Sequence, residues 1–219
     1  RNGKAMSLLV LKKYDEAFAL LETALTDDPD NVQILQNCGI LALLTRKLDI
    51  AAAAFTRVLA IDAGHAGAHS GLGETAMLVG KMDIAQEHLL AAIGKNDKDS
   101  RSHWLLGKVL SRSNPRLAVE YLERASYLAP SDPEVWYDLG LTRRMVGEAR
   151  LAGQALTQAM ALSPDEPRIY LELAKVHSDM NRFDMAASHF DKALLLKPDP
   201  AVKAQIHFHY GLLEETRTD

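Results

Sequence analysis

Eight histidines and a lone cysteine, Cys38, are the side chains of this 219-residue chain best suited to hold a metal. His65 and His69 stand four apart, and His207 and His209 two apart. No cysteine or carboxylate completes a coordination set at helical spacing, so no metal site is expected. One cysteine forms neither an intramolecular disulfide nor a zinc cluster by itself. Gly67, Gly71 and Gly73 imitate a phosphate-cradling run but lack a preceding strand and a following Lys-Ser/Thr pair. The carboxylate pairs Asp27-Asp28 and Glu214-Glu215 fall at helix ends and surfaces, where capping and solvation outweigh acid–base work. No Gly-x-Ser-x-Gly elbow or His-Glu-x-x-His helix occurs. The reading is of a non-enzymatic fragment with no cofactor.

The elements that carry these residues follow from composition. The chain is 47% apolar and 25% charged, with a net charge of −4. It holds 31 Ala and 34 Leu against 18 Val plus Ile and 13 aromatics. Ala and Leu are strong helix formers, while β-branched and aromatic residues favour strands, so an all-α fold is expected. No run approaches the roughly 18 apolar residues of a membrane span. The best candidate, around Ile40 to Leu44, is cut off by Thr45-Arg46-Lys47. The acidic balance gives no sequence-wide footprint for nucleic acid. The sequence opens at Arg1 inside a helical pattern and without Met, as an excised fragment would. Its location is left open, with the cytoplasm favoured because no signal or transmembrane segment is present.

Self-alignment gives a period of about 34 residues. Ala17, Ala51, Ala85, Ala118, Ala152 and Ala186 form one row, and Ala24, Val58, Ala92, Ala125, Ala159 and Ala193 a second, seven residues on. Large apolar residues lie between them at Leu21, Phe55, Leu89, Leu122, Leu156 and Phe190. A further row reads Gly39, Gly73, Gly107, Gly140 and Ala174. Each period divides into two amphipathic stretches joined by a short turn such as Val146-Gly147-Glu148. Pro- and Asp-rich breaks such as Asp28-Pro29-Asp30-Asn31 and Ala129-Pro130-Ser131-Asp132 separate the periods; Pro ends one helix and the polar residue caps the next. Small residues in the Gly row allow close helix approach, so Gly140 is expected to seat Leu156.

Trp136, Leu139-Gly140, Ala152, Leu156, Ala159 and Pro164, in this order and spacing, resemble a tetratricopeptide repeat. Tyr170, Leu173-Ala174, Phe183, Ala186, Phe190, Ala193 and Pro198 match nearly as well. The chain therefore reads as a single array over 1–219, with repeats at about 1–31, 32–65, 66–99, 100–132, 133–166 and 167–200, and a partial one at 204–219. Ala63 and Asp97 stand where Pro is usual, the Asn114-Pro115 turn is one residue short, and the register slips by three after Pro198. His207-Phe208-His209-Tyr210-Gly211 then resembles the first helix of a seventh repeat. The resemblance implies an all-α, right-handed superhelical α-solenoid whose first helices line a concave groove.

On that implied geometry the groove candidates are Asn37, Glu74, Arg101, Trp104, Lys108, Arg112, Tyr137, Asp138, Leu141, Arg144, Lys175 and Phe208. Gly67, Ser70 and Gly71 are small and leave room for a ligand side chain. Aromatics among Arg and Lys suit peptide docking, since apolar contact adds to charge-assisted bonds. Two alternatives stay open: Trp104 packs against the neighbouring repeat, and the basic residues form a solvated face paired with Glu134 and Asp138. Some family members clamp chaperone tails with Lys, Asn and Arg. Asn37 matches one such position, but Gln36, Ser70 and Glu74 do not, which disfavours that partner. His69, His103 and His207 recur at equivalent positions and are read as packed in the seam between helices.

The function expected is a protein–protein interaction scaffold binding a partner peptide or helix of unknown identity in its groove. Nucleic acid and membrane insertion are not expected. Two other readings compete. Gln205 to Glu215 weakly resembles the last repeat before a sulfotransferase domain, which would make the chain a non-catalytic N-terminal module of a larger bacterial enzyme, that or another transferase. Alternatively the chain is a self-assembling structural repeat protein, like those coating organelles such as magnetosomes, with Leu8, Leu9 and Leu11 offering an apolar face for self-association at the truncated end.

Overall fold

The computed structural model describes residues 2–218, apart from the side chains of residues 2, 6, 217 and 218. The Arg1 and Asp219 limits of the first and last expected repeats lie outside the described residues. Thirteen helices and no strand occur among the described residues: α1 (Asn2–Val10), α2 (Tyr14–Asp27), α3 (Val32–Leu44), α4 (Leu48–Ile61), α5 (Ala66–Leu78), α6 (Met82–Lys95), α7 (Ser100–Leu110), α8 (Pro115–Leu128), α9 (Pro133–Met145), α10 (Ala149–Leu162), α11 (Pro167–Asp179), α12 (Phe183–Leu195) and α13 (Pro200–Thr218). The all-α expectation holds. The chain divides into two compact units, one up to Val109 and one from Leu110.

Helix starts follow the sequence signals. Side chains of Asn31, Asn114 and Asp132 accept from backbone N–H groups at the starts of α3, α8 and α9, and Pro115, Pro133 and Pro167 occupy first-turn positions where no N–H is needed. Within each repeat the turn between helices passes through a left-handed residue: Lys12, Arg46, Gly80, Gly147 and Asn181 all have φ between 56° and 84°. The shortened turn breaks the series, since Asn114 has φ of −147° and leads directly into α8.

In the first unit the hairpins α1–α2 and α3–α4, with α5, pack around Ala17, Leu21, Leu35, Leu41, Ala51, Phe55 and Val58, and α6 packs on α5. The small-against-large rule is visible at Phe55. A Cβ added to Gly39 or Gly71 would sit 2.6 or 2.4 Å from its ring, so the ring occupies the space that two glycines leave. Cys38 is buried in this core, and burial, helped by Glu22, pushes its thiol up to about 11. Leu8 differs from expectation: it is buried in the same core, because α1 lays that face on α2, while Leu11 is exposed and Leu9 half-buried.

In the second unit α9, α10 and α11 pack around Ala152, Leu156, Ala159, Ile169 and Leu173, and α13 packs on α12 and α11 through Ile206 and Leu213. Leu156 sits against Gly140 as the spacing requires; a Cβ there would lie 2.6 Å from Leu156 Cγ. His207 is not a seam residue. α13 runs unbroken from Pro200, Ile206 takes the buried position, and His207 is exposed.

Candidate functional site

In the first unit the small residues Gly67, Ser70 and Gly71 of α5 face a cavity of about 530 Å³. Its apolar wall comes from Ile40, Leu43 and Leu44 of α3, and its polar edge from Gln36, Arg46, Glu74 and Arg101. Arg101 Nη2 lies 2.6 Å from Glu74 Oε2, so the two candidates neutralise each other across α5 and α7. Ser70 and Ser102 hydroxyls are 2.9 Å apart, and Ser102 donates to the Asp99 carboxylate, which also caps α7. Asn37 is only 4% exposed and accepts from Gln33 Nε2 at 3.4 Å, so this side chain is buried and not open to solvent.

Trp104 is half-buried, and Lys108 Nζ stands 4.4 Å above its ring centre. A cation–π pair therefore covers one ring face from the same helix, one turn on. Arg112 lies beyond the end of α7, in the shortened turn, and is exposed.

In the second unit Arg144 reaches Asp179 at 2.6 Å and Glu172 at 3.9 Å, and Lys175 Nζ reaches Glu172 at 2.7 Å. The Glu172 and Lys175 side chains are only 9% and 11% exposed. Arg168 binds Glu134 and lies 3.3 Å from Glu166, with its guanidinium 4.9 Å above the Tyr137 ring. Arg144 thus takes partners from the following repeat, while Arg168 takes the Glu134 that the sequence reading paired with the basic candidates. Burial, then the nearby Glu172, raises the Tyr137 hydroxyl pKa, so the phenol stays protonated and able to donate. His209 is pushed down by burial and by Lys175. Asp138 and Leu141 are half-buried on α9, and Phe208 is 64% exposed beside His209 at 5.2 Å. The structure thus brings together Glu74 with Arg101, Trp104 with Lys108, and Arg144 with the Lys175–Glu172 pair.

Sequence reasoning missed one recurrent bond. Four residues before the last four positions of the Gly row a polar ring reaches the carbonyl six residues back: His69 Nε2 to Ala63 at 3.2 Å, His103 Nε2 to Asp97 at 3.0 Å, Trp136 Nε1 to Pro130 at 2.8 Å and the Tyr170 hydroxyl to Pro164 at 2.7 Å. A carbonyl accepts only, so Nε2 of both histidines carries the proton. That leaves His69 Nδ1 to accept from His88 Nδ1, 3.1 Å away. The 34-residue register of His, His, Trp and Tyr was the available signal.

Two family models described as tetratricopeptide repeat match residues 2–66 and 145–206, together more than half of the chain. The chain belongs to the tetratricopeptide repeat family. No curated protein matches it. Among solved tetratricopeptide-like structures it is similar to PilF of Pseudomonas aeruginosa, at 20% identity over 95% of both chains with a TM-score of 0.82. It is also similar to YrrB, described as a TPR protein with an unusual peptide-binding site, at 20% identity over 86% of this chain and 97% of that one, TM-score 0.70. MamA matches at 24% identity over 76% of this chain and 91% of its own, TM-score 0.67. At these identities the likeness shows the fold. Tetratricopeptide repeats support a protein-interaction scaffold, and the fold is generally non-catalytic. Among the described residues no helix is long and apolar enough to cross a membrane, and no three His, Cys, Asp or Glu side chains come together as a metal would need.

Proposed function

We propose that the chain is a scaffold that docks a partner peptide or helix on the exposed faces of its first helices, with the α3–α5–α7 cavity as the anchor point. The observation that supports this most directly is the cavity itself: about 530 Å³, with an apolar wall on α3 and charged groups on its edge. That volume admits one or two apolar side chains, while Arg46, Glu74 and Arg101 hold the flanking chain through charge-assisted bonds. A preformed pocket carries no ordering cost on the scaffold side, so the ligand alone is ordered on binding. YrrB, described as having an unusual peptide-binding site, supports the same use of the fold.

The test is selection of a displayed random-peptide library on the intact chain, followed by re-screening on variants. Gly67→Leu fills the cavity; the flexible end of Gln36 lies 2.7 Å from the new Cβ and His65 Cε1 3.3 Å from it, so both side chains must give way. Selected peptides should share a large apolar residue and lose binding at least about tenfold on Gly67→Leu and on Arg101→Glu. Peptides that bind both variants as they bind the native chain would remove the cavity from the site.

A further inference from the structure

The second unit has another cavity, of about 590 Å³, that none of the twelve groove candidates lines. Arg143 and Trp136 of α9, Arg150 and Gln158 of α10, His177 of α11 and Arg182 before α12 form its wall, and no carboxylate is among its lining residues. Arg143 is held by Glu123 and lies 4.0 Å from Glu148. Arg150 and Arg182 pair with no carboxylate among the described residues, and both are exposed. His177 is nine-tenths buried, and its Nδ1 has no hydrogen-bond partner; Arg143 Nε is likewise buried without one.

Position makes this assembly specific. Arg143 and His177 stand three residues after Gly140 and Ala174 in the Gly row, where earlier repeats place Ala42, Ala76 and Leu110. Charged or titratable groups thus replace small or apolar ones at two successive seam positions. A buried nitrogen left without a partner loses its hydration with nothing in return, so a seam that gathers two of them beside two guanidiniums without carboxylate partners is not explained by packing. Burial and the charge of Arg182 lower the His177 pKa, so the ring is neutral at pH 7, and His189 stacks on it at 5.1 Å. An incoming anion would oppose the effect of Arg182 and favour the protonated ring.

We propose that this cavity is a phosphate-binding site, in which Arg150 and Arg182 hold the dianion by forked hydrogen bonds, Arg143 supplies positive charge behind it, the unpartnered His177 Nδ1 offers a further hydrogen-bonding group, and the Trp136 ring borders the group that carries the phosphate. Guanidinium forks match the tetrahedral oxygens of phosphate, and three of them can be engaged by one such group. The site lies on α9–α12 and does not depend on the groove reading.

The probes are inorganic phosphate and phenyl phosphate, titrated into the full chain at constant ionic strength while the indole N–H resonance of Trp136 is followed. A saturable shift is expected, with a dissociation constant on the order of 1 mM or tighter. Tighter binding of phenyl phosphate assigns the site to a phosphate carried on an organic group, and equal binding to the free ion. Arg150→Gln with Arg182→Gln should weaken either ligand at least about tenfold, while Arg57→Gln and the Gly67→Leu cavity variant leave it unchanged. Both altered arginines are exposed, so the melting temperature should stay at the native value. A shift that does not saturate with either probe, or one that persists undiminished in a double variant that melts normally, overturns the proposal.

Discussion

The indole N–H of Trp136 donates to the carbonyl oxygen of Pro130, 2.8 Å away, and the Tyr170 hydroxyl repeats the bond one period later to Pro164 at 2.7 Å. These rings tie the break between repeats to the first helix that follows it. Tyr170→Phe keeps the ring and removes the donor, leaving the Pro164 carbonyl to find water. It should cost about 1 kcal/mol, read as a lower urea midpoint with an unchanged slope. An unchanged midpoint would mean that the ring alone matters.

Glycine substitutions should divide by place. Gly140→Ala puts a methyl 2.6 Å from Leu156 Cγ and 3.2 Å from the Ala152 carbonyl, so α9 and α10 must part, at about 1–3 kcal/mol. Gly94→Ala on α6 meets nothing within 4 Å and should stabilise by about 0.5–1 kcal/mol through helix propensity. Chemical denaturation of the two variants measures the opposite signs. Equal effects would refute the close-approach account of the Gly row.

Ion pairs should divide by burial. Lys175→Met strips the nearly buried Glu172 of its 2.7 Å partner and leaves Arg144 at 3.9 Å, for a loss of about 1–3 kcal/mol. Arg57→Ala breaks a pair with Asp30 that is half-exposed on one side and more on the other, and should cost at most about 0.5 kcal/mol. Adding Glu172→Gln should recover part of the loss from Lys175→Met. Failure to recover any would place the defect in packing.

Acidification should weaken the fold in a defined window. Burial, with His69 second, lowers the pKa of His88; burial lowers those of His177, His189 and His209 as well. Between their folded values and the ordinary 6.5 the unfolded chain binds more protons. Stability is therefore full above about 6.5 and falls as pH drops through that window. Melting temperatures at about pH 7.5 and about pH 5.5 measure the fall, and His88→Gln should reduce it. A melting temperature that rises on acidification would contradict the assignment.

The helix pairs and their small-to-large contacts were legible because steric rules repeat: Gly140 and Leu156 occur at fixed places in each period. The charged pairing was less so. Arg144 had Glu134 and Asp138 as neighbours in the linear pattern, yet its partners are Asp179, 35 residues on, and Glu172, since residues one repeat apart stand side by side when helices stack. His207 was misplaced because the repeat register slips after Pro198 and only the packing of α13 shows that Ile206 points inward. The cationic cavity escaped for a different reason. Arg143 and His177 each look ordinary alone, and their oddity appears only against the Ala42, Ala76 and Leu110 of their own row.

Cys38 lies deep in the first unit with its thiol pushed up to about 11, so at neutral pH almost none of it is the nucleophilic thiolate. Maleimide dyes should pass it by without its removal. A cysteine introduced at exposed Arg57 and another at exposed Arg150 can then report, by energy transfer between fluorophores, the distance between the two units in solution and its change when a ligand arrives.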